Sequence, residues 1–333
     1  MTITLLYTYQ YHERKRMNSV FDESNKYVVS LNISEEKGTI KTPREKVEIN
    51  EFGIVADAHS GRWHRQVSML AQEDIDNFSL MDADKRKFLP GEFAENITTR
   101  GMNFKKVSIL DRFKIGEVEL ELSQIGKMCH GDGCTIFVEV GKCVMPKSGI
   151  FTRVIKGGVI TRGDKIEYLP RALKIKVITL SDRAAMGEYE DKSGPKIKEL
   201  LAEFFRDKRW HTEYYYSLLP DDENNLEDEL QKSIAENIDI IFTTGGTGIG
   251  PRDITPDVVG KFVDKLIPGI MDQIRLKYFE KLPSAILSRS LFGVKNQTLI
   301  FSLPGSVKAV EDYLEEITKI LEHSILMLHG LGH

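Results

Sequence analysis

The sequence is poor in cysteine, has no long apolar run and carries no excess of positive charge. Cys129, Cys134 and Cys143 are the three cysteines of the 333-residue chain, and all fall in one short stretch. So sparse and odd a set excludes a disulfide framework and makes the question there one of local chemistry. No apolar run approaches the ~20 residues that a membrane span needs. The start, MTITLLYTYQYHERKRMNS, places apolar residues before charges, the reverse of a secretory signal. Met17 is an alternative start that would make the preceding residues an added leader, and the expectation is a cytoplasmic protein. Lys and Arg total 46 against 50 Asp and Glu, a formal net charge of -4. That balance excludes a general nucleic-acid binder and leaves open a phosphate-bearing small ligand, which needs only local positive charge.

What is present divides in two. A chain of this length has room for about two domains of ~100–200 residues each. From Lys26 to Tyr168 the runs KYVVSLNI, KVSIL, VELELSQI and CTIFVEV are short, rich in β-branched residues and separated by Gly, Asp and Lys turns, as strands are. An amphipathic helix is expected over Ser68 to Phe78. The pattern predicts a leader over 1–25, a β-rich, barrel-like domain over 26–169 and a linker over 170–172. From 173 to 333 the rhythm changes. KIKVITLS, TEYYYSLLP, IDIIFTTGG and QTLIFSLPG read as strands, and GPKIKELLAEFFRD, NLEDELQKSIAEN and TPDVVGKFVDKL as helices. Ile197, Leu200, Leu201 and Phe204 recur at helical spacing, as do Val310, Leu314, Ile317, Leu321, Ile325 and Leu328 in the last helix. Strand–helix alternation predicts a three-layer α/β domain with a mostly parallel sheet, and ligands in such sheets bind at the C-terminal ends of the strands.

The most informative string is Thr243-Thr244-Gly245-Gly246-Thr247-Gly248-Ile249-Gly250-Pro251-Arg252-Asp253-Ile254-Thr255-Pro256, between a buried strand and a helix. Glycines let backbone N–H groups approach an anion closely. Thr255 is placed to cap the helix and Pro256 to start it. A helix N-terminus and Arg252 both favour phosphate. A purely structural glycine turn is the competing reading. No Gly-Lys-Ser/Thr ends the loop, so it is not a Walker A motif.

The whole string resembles the signature of the MogA/MoaB family of molybdopterin adenylyltransferases. Ser181-Asp182-Arg183, Gly187 with Tyr189 to Pro195, Leu219-Pro220-Asp221-Asp222, Ala285 to Arg289 and Leu303-Pro304-Gly305-Ser306 follow the same family's order. The resemblance implies transfer of AMP from ATP to the terminal phosphate of molybdopterin, and a homotrimer formed through this domain. The attacking phosphate is already ionised near neutral pH, so the difficulty is bringing two anions together and stabilising the departing pyrophosphate. Mg²⁺, which favours carboxylate oxygen, would address both. The family's two essential acids map onto Asp221 and Asp253, with Asp222 as a possible substitute ligand. Ser181, Asp182, Arg183, Thr244, Gly245, Gly246, Thr247, Gly248, Arg252, Ser288, Pro304, Gly305 and Ser306 map onto the nucleotide and molybdopterin site. The structural alternatives are that Ser181 and Ser306 simply cap helices.

The first half resembles the MOSC domain, named for the C-terminal region of molybdenum cofactor sulfurases. Gly53 to Gly61, Gly91 to Thr98, Gln124 to Cys129, and Gly149 to Val154 with Gly163-Asp164 carry that resemblance. Ala56 stands where the family has glycine, and Gly126-Lys127-Met128-Cys129 replaces arginine–x–proline–cysteine. The resemblance implies that Cys129 carries sulfur or ligates molybdenum, with Asn96 and Arg153 near the pterin phosphate. A thiolate is a soft ligand and a nucleophile that neighbouring cations such as Lys127 activate. Cys129 as an inert buried residue, or a zinc site of Cys129, His130, Cys134 and Cys143, are the alternatives, although the spacing is not that of a usual zinc ribbon. His59 and His64 flank Gly61-Arg62-Trp63 and are candidates for the same pocket, against the commoner outcome of isolated surface histidines.

Together the halves imply an enzyme of molybdenum cofactor synthesis fused to a cofactor-receiving module, a fusion that raises the effective concentration between sites. The expected partners are ATP, molybdopterin, and other cofactor-synthesis or client molybdoenzymes. A non-catalytic molybdopterin carrier is the alternative of a different class. Retention of both Asp221 and Asp253 favours catalysis, since a carrier needs no paired metal ligands.

Overall fold

The computed structural model describes residues 25–82, 86–127 and 143–331. The chain divides into two compact units, Met1–Arg171 and Ala172–His333. The linker expected over 170–172 is shorter, because Ala172 already pairs with His211 at the start of a parallel strand pair. The leader expected over 1–25 lies outside the described residues, Asn25 excepted. So do Cys129, His130, Cys134 and the run CTIFVEV.

The first unit contains β1 (Tyr27–Ile33), β2 (Thr42–Arg44), β3 (Lys46–Asn50), β4 (Gly53–Ile54), β5 (Val67–Ala71), α1 (Gln72–Met81), β6 (Ile97–Arg100), β7 (Arg112–Ile115), β8 (Val118–Ile125), α2 (Met145–Ser148), β9 (Ile150–Lys156), β10 (Gly158–Thr161) and β11 (Ile166–Leu169). Its main sheet has the order β11-β7-β8-β9-β5-β6-β1-β2, with a smaller sheet β10-β3-β4. Pairing is antiparallel except between β5 and β6. An isolated bridge, Tyr27 to Lys165, links the start of β1 to the approach to β11, while β2 lies beyond β1 at the sheet's end. The expected barrel is therefore a curled half-barrel that is not closed, with β2 left as an edge. Its interior is filled by a continuous apolar cluster that includes Val28, Leu31, Met69, Ile97, Phe113, Leu120 and Ile150.

Two local expectations are overturned here. Ser68 to Ala71 is strand, and the helix begins only at Gln72. The Ser68 N–H and hydroxyl both bond to the Asn96 side-chain carbonyl, at 3.1 and 2.9 Å, which draws this segment into the sheet. The run KVSIL is not a strand. Ser108 N–H bonds the Asp111 carboxylate at 2.6 Å and Leu110 has φ 71°, so the chain turns there before β7.

The second unit contains β12 (Ala172–Leu180), α3 (Asp182–Ala185), α4 (Ser193–Phe205), β13 (His211–Leu219), α5 (Glu223–Ala235), β14 (Ile240–Thr244), α6 (Thr255–Phe262), β15 (Lys265–Leu266), α7 (Gly269–Phe279), a 3-10 turn (Pro283–Leu287), β16 (Phe292–Lys295), β17 (Thr298–Leu303) and α8 (Val307–Leu328). The sheet order is β13-β12-β14-β17-β16-β15. The first three pairings are parallel and the last two antiparallel, so the sheet is mixed and mostly parallel. β14 and β17 are buried along their whole length, and Phe301 stacks between Phe242 and Phe292 at 4.9 and 4.1 Å. On α8, Val310, Leu314, Ile317, Leu321 and Ile325 are buried, each contributing about 1.5–3 kcal/mol of apolar burial. Leu328, the last of the expected stripe, is only half-buried. On α4 the deeply buried residues are Ile197, Leu201 and Phe205, while Leu200 and Phe204 are half-buried.

Candidate functional site

In the second unit four of the segments singled out by sequence follow C-terminal ends of parallel strands, whereas Ala285 to Arg289 precedes β16. Ser181–Arg183 follows β12, Pro220–Asp222 follows β13, the glycine loop follows β14, and Pro304–Ser306 follows β17. Parallel pairing brings these ends to one edge of the sheet. Gly245 and Gly246 take positive φ, 102° and 61°, which glycine adopts without steric cost. A Cβ on Gly245 would lie 2.3 Å from the Leu180 carbonyl oxygen, so a larger residue could not sit against the end of β12.

The turns after β12 and β13 are tied reciprocally. Asp182 N–H bonds the Asp221 carboxylate at 3.1 Å, and Asp221 N–H bonds the Asp182 carboxylate at 3.0 Å. Arg252, reaching from the glycine loop, forms an ion pair with Asp182. A Cβ on Gly246 would lie 3.5 Å from Asp221 Oδ1, so this carboxylate faces the loop. Burial raises the Asp221 carboxyl above the ordinary range. The Asp182 N–H and the charge of Arg252 oppose the rise, whereas the charges of Asp182 and Asp253 add to it. Asp222 plays another part: its carboxylate accepts Asn225 N–H at 2.9 Å and caps α5. Asp221 is thus the acid of the pair that turns toward the loop.

Asp253 accepts Gly250 N–H at 2.7 Å. Thr255 does not cap α6. It is the first helical residue, the cap position is Ile254, and its buried hydroxyl bonds the Gly245 carbonyl at 2.9 Å. Thr244 hydroxyl bonds the Pro304 carbonyl at 2.9 Å, and a Cβ on Gly305 would lie 3.2 Å from Gly245 Cα, which places the Pro304–Ser306 turn against the glycine loop. Ser181 and Ser306 do cap helices, accepting Ala184 N–H at 3.3 Å and Ala309 N–H at 3.2 Å. Ser181 also bonds Tyr189 hydroxyl at 2.8 Å, and Arg183 lies over the Tyr189 ring at 5.3 Å. Ser288 bonds Ser290 and Tyr313 rather than reaching the acids.

The first unit has a small open cleft whose wall includes His59, Arg65, Asn96 and Lys127. Asn96 is on its wall, but its amide is engaged internally by Ser68 and by the Asn32 carbonyl. Arg153 is not among the lining residues. It binds Glu121 through Nε at 2.9 Å and a terminal nitrogen at 2.6 Å. His59 lines the cleft, whereas His64 does not. Of the three cysteines only Cys143 is described, and it is half-buried.

The family model described as a probable molybdopterin binding domain matches residues 176–323, and the MOSC domain model matches residues 56–167. The molybdopterin adenylyltransferase of Helicobacter pylori is 36% identical over 48% of this chain and 90% of its own length. The chain belongs to the molybdopterin adenylyltransferase family. A second member, from Pyrococcus furiosus, is 38% identical over 46% of this chain and 93% of its own length. Among solved structures, the tungsten cofactor synthesizing protein MoaB of Pyrococcus furiosus is 36% identical, with a TM-score of 0.42, over 49% of this chain and 99% of that one. All of these similarities to the adenylyltransferase family lie in the second unit, and the MOSC match in the first.

Among the described residues no group of three or more His, Cys, Asp or Glu forms a metal cage. Mg²⁺ rarely uses one: it is usually held by one or two carboxylates plus substrate phosphates and water. The half-buried Asp221 carboxyl, raised by burial and further by the charges of Asp182 and Asp253, is a site where an added cation would relieve repulsion, so Asp221 and Asp253 fit that role. Sequence reasoning passed over Arg289 and Asp191. Arg289 donates to the Gly248 carbonyl at 2.7 Å, to both Asp257 oxygens at 2.9 and 2.8 Å, and to the Asp253 carbonyl. Asp191 accepts from Thr179, Ser193, Gly194 and Tyr216. Both lie inside quoted motifs, but only their long-range partners reveal what they do.

Proposed function

We propose that the second unit transfers AMP from Mg-ATP to the terminal phosphate of molybdopterin. The observation that carries the reading is the turn of Asp221 toward the glycine loop while Asp222 is committed to a helix cap. Backbone N–H groups of residues 246–249 supply fixed dipoles for phosphate oxygens, those of Gly245 and Gly250 being bonded to the Leu303 carbonyl and the Asp253 carboxylate. Arg252, exposed and paired with Asp182, can exchange that carboxylate for a phosphate. Asp221 and Asp253 would hold Mg²⁺, which supplies charge neutralisation for the two anions and the pyrophosphate leaving group. No general base is needed, since the attacking phosphate is ionised. The thirteen-residue binding set named from sequence is proposed with two distinctions. Ser306 binds through its backbone amide, its hydroxyl being used as a cap, while Ser181, whose N–H donates to the Leu219 carbonyl at 2.9 Å, and Ser288 support the site from outside it.

The first unit is proposed to hold molybdopterin or molybdenum, with Cys129 as the thiolate ligand or sulfur carrier. Self-association as a trimer is proposed through the second unit. The exposed apolar side chains Leu276, Phe279, Leu282, Ile286 and Leu287 on α7 and the following turn support such an interface. The deciding experiment incubates purified protein with molybdopterin and Mg-ATP and measures adenylylated product and pyrophosphate. Binding without either product would leave a carrier in place of an enzyme.

A further inference from the structure

The segment between α3 and α4 carries a feature that the phosphate chemistry leaves unused. Gly187 closes α3 with φ 77°, its N–H bonding the Ala184 carbonyl at 3.0 Å. Asp191 pins the far end of the segment. Its carboxylate accepts the Thr179 hydroxyl of β12 and the Tyr216 hydroxyl of β13, each at 2.8 Å. From α4 it accepts the Ser193 N–H at 2.9 Å and the Gly194 N–H at 3.1 Å. These opening N–H groups of the helix are therefore satisfied by the chain itself. A Cβ on Gly194 would lie 2.5 Å from the Thr179 hydroxyl oxygen, so the anchor is closely packed.

Between the two anchors stands Tyr189, 46% exposed. Its side chain is held from both sides. The hydroxyl bonds the Ser181 hydroxyl at 2.8 Å, and the Arg183 guanidinium lies 5.3 Å from the ring centroid. A tyrosine so fixed offers a large flat surface with little conformational entropy left to lose. The ring also stands beside the acids: Ser181 precedes Asp182, whose N–H bonds the Asp221 carboxylate at 3.1 Å. Its chain neighbours Glu188 and Glu190 are exposed, and their charge disfavours a phosphate there relative to an uncharged ring. In the sheet order β13-β12-β14-β17 the glycine loop after β14 is central, with Tyr189 on its β12 side. A substrate whose phosphates lie on that loop can extend its uncharged end toward Tyr189.

We propose that Tyr189 is a stacking shelf for the flat nitrogen heterocycle of a substrate, oriented by Ser181 and Arg183. Both substrates of adenylyl transfer carry such a ring, the purine of ATP and the pterin of molybdopterin. The inference rests on the adenylyl-transfer reading and deepens it, by adding a residue that recognises a ring to a site otherwise built for phosphate and metal.

The test is calorimetric titration of the full-length protein with Mg-ATP, with molybdopterin and with Mg-tripolyphosphate, which carries phosphates without a ring. Tyr189→Ala should weaken Mg-ATP binding, or one binding event of molybdopterin, by about tenfold or more, the scale of a lost base–aromatic stack. Mg-tripolyphosphate should bind within about threefold of the parent. Tyr189→Phe keeps the ring face and should hold the affected substrate within about threefold as well. A loss confined to Mg-ATP supports the shelf and assigns it to the purine; a loss confined to molybdopterin supports it and assigns it to the pterin. Parental affinity of Tyr189→Ala in every event, or an equal loss for Mg-tripolyphosphate, overturns it. If Tyr189→Ala fails to fold, Tyr189→Leu, which keeps apolar volume without a flat face, is scored by the same criteria. A parent that binds neither substrate refutes the adenylyl-transfer reading and the shelf with it, whereas a parent that binds both and a variant that binds equally well refutes the shelf alone.

Discussion

Replacing Arg289 with alanine should damage both the stability and the turnover of the second unit. The guanidinium bonds the Gly248 and Asp253 carbonyls and grips Asp257 with two bonds, so one side chain joins both ends of the glycine loop to α6. A hydrogen bond from a charged donor is worth ~1.5–3 kcal/mol. The guanidinium is 35% exposed, so water replaces part of each lost bond and the lower end applies. The Asp257 pair, 53% exposed on its acidic side, adds only ~0.2–1 kcal/mol. The expected loss is about 2–4 kcal/mol, or roughly 5–15 °C in Tm for a domain of this size. Turnover should fall more steeply, because Asp253 loses the clamp on its own carbonyl and a misplacement of about 1 Å costs ~10²-fold. Arg289→Lys keeps the charge but not the fork and should recover less than half of either loss. The assays are thermal melts and initial rates of pyrophosphate release. An Arg289→Ala protein that melts within about 2 °C of the parent and turns over within about threefold would refute the clamp.

Three further outcomes are expected. Asp221→Asn should abolish turnover yet stabilise the second unit near neutral pH: a carboxyl raised above its ordinary 3.8 favours folding only while protonated, and that contribution is lost as pH rises through the folded-state value. Melts at pH 7 should favour the variant and melts near pH 3 should not; a variant less stable at both would contradict the sign. A fragment from Ala172 to His333, cut where the two units meet in the chain, should be soluble, cooperative in urea and active, and an unfolded fragment would break the two-unit account. Cys129→Ser should lower molybdenum retained by the full chain without slowing AMP transfer, since oxygen is a harder ligand than sulfur; parental molybdenum content would remove Cys129 from the site.

Periodicity made the second unit legible because its strands and helices are long and their apolar positions regular. It could not separate Asp221 from Asp222. Those neighbours differ only in that one meets Asn225 N–H at the head of α5 while the other meets Asp182 across the sheet. Thr255 had the sequence of a cap but spends its hydroxyl on the Gly245 carbonyl ten positions back. The first unit was harder to read, because its turns are fixed by distant partners. Ser68 becomes strand through Asn96, and β11 is held against β7 by pairs such as Tyr168 with Phe113.

The central claim is that Asp253 and Asp221 act through Mg²⁺ on phosphate chemistry rather than on pterin binding. Its most direct test is Asp253→Asn, with molybdopterin affinity and adenylylated product measured on the same preparation. Asparagine keeps an oxygen able to accept Gly250 N–H, which Asp253 now accepts at 2.7 Å, so the loop should stay folded. The account expects molybdopterin affinity within about threefold of the parent and turnover reduced by at least ~10³. Near-parental turnover in Asp253→Asn would contradict it.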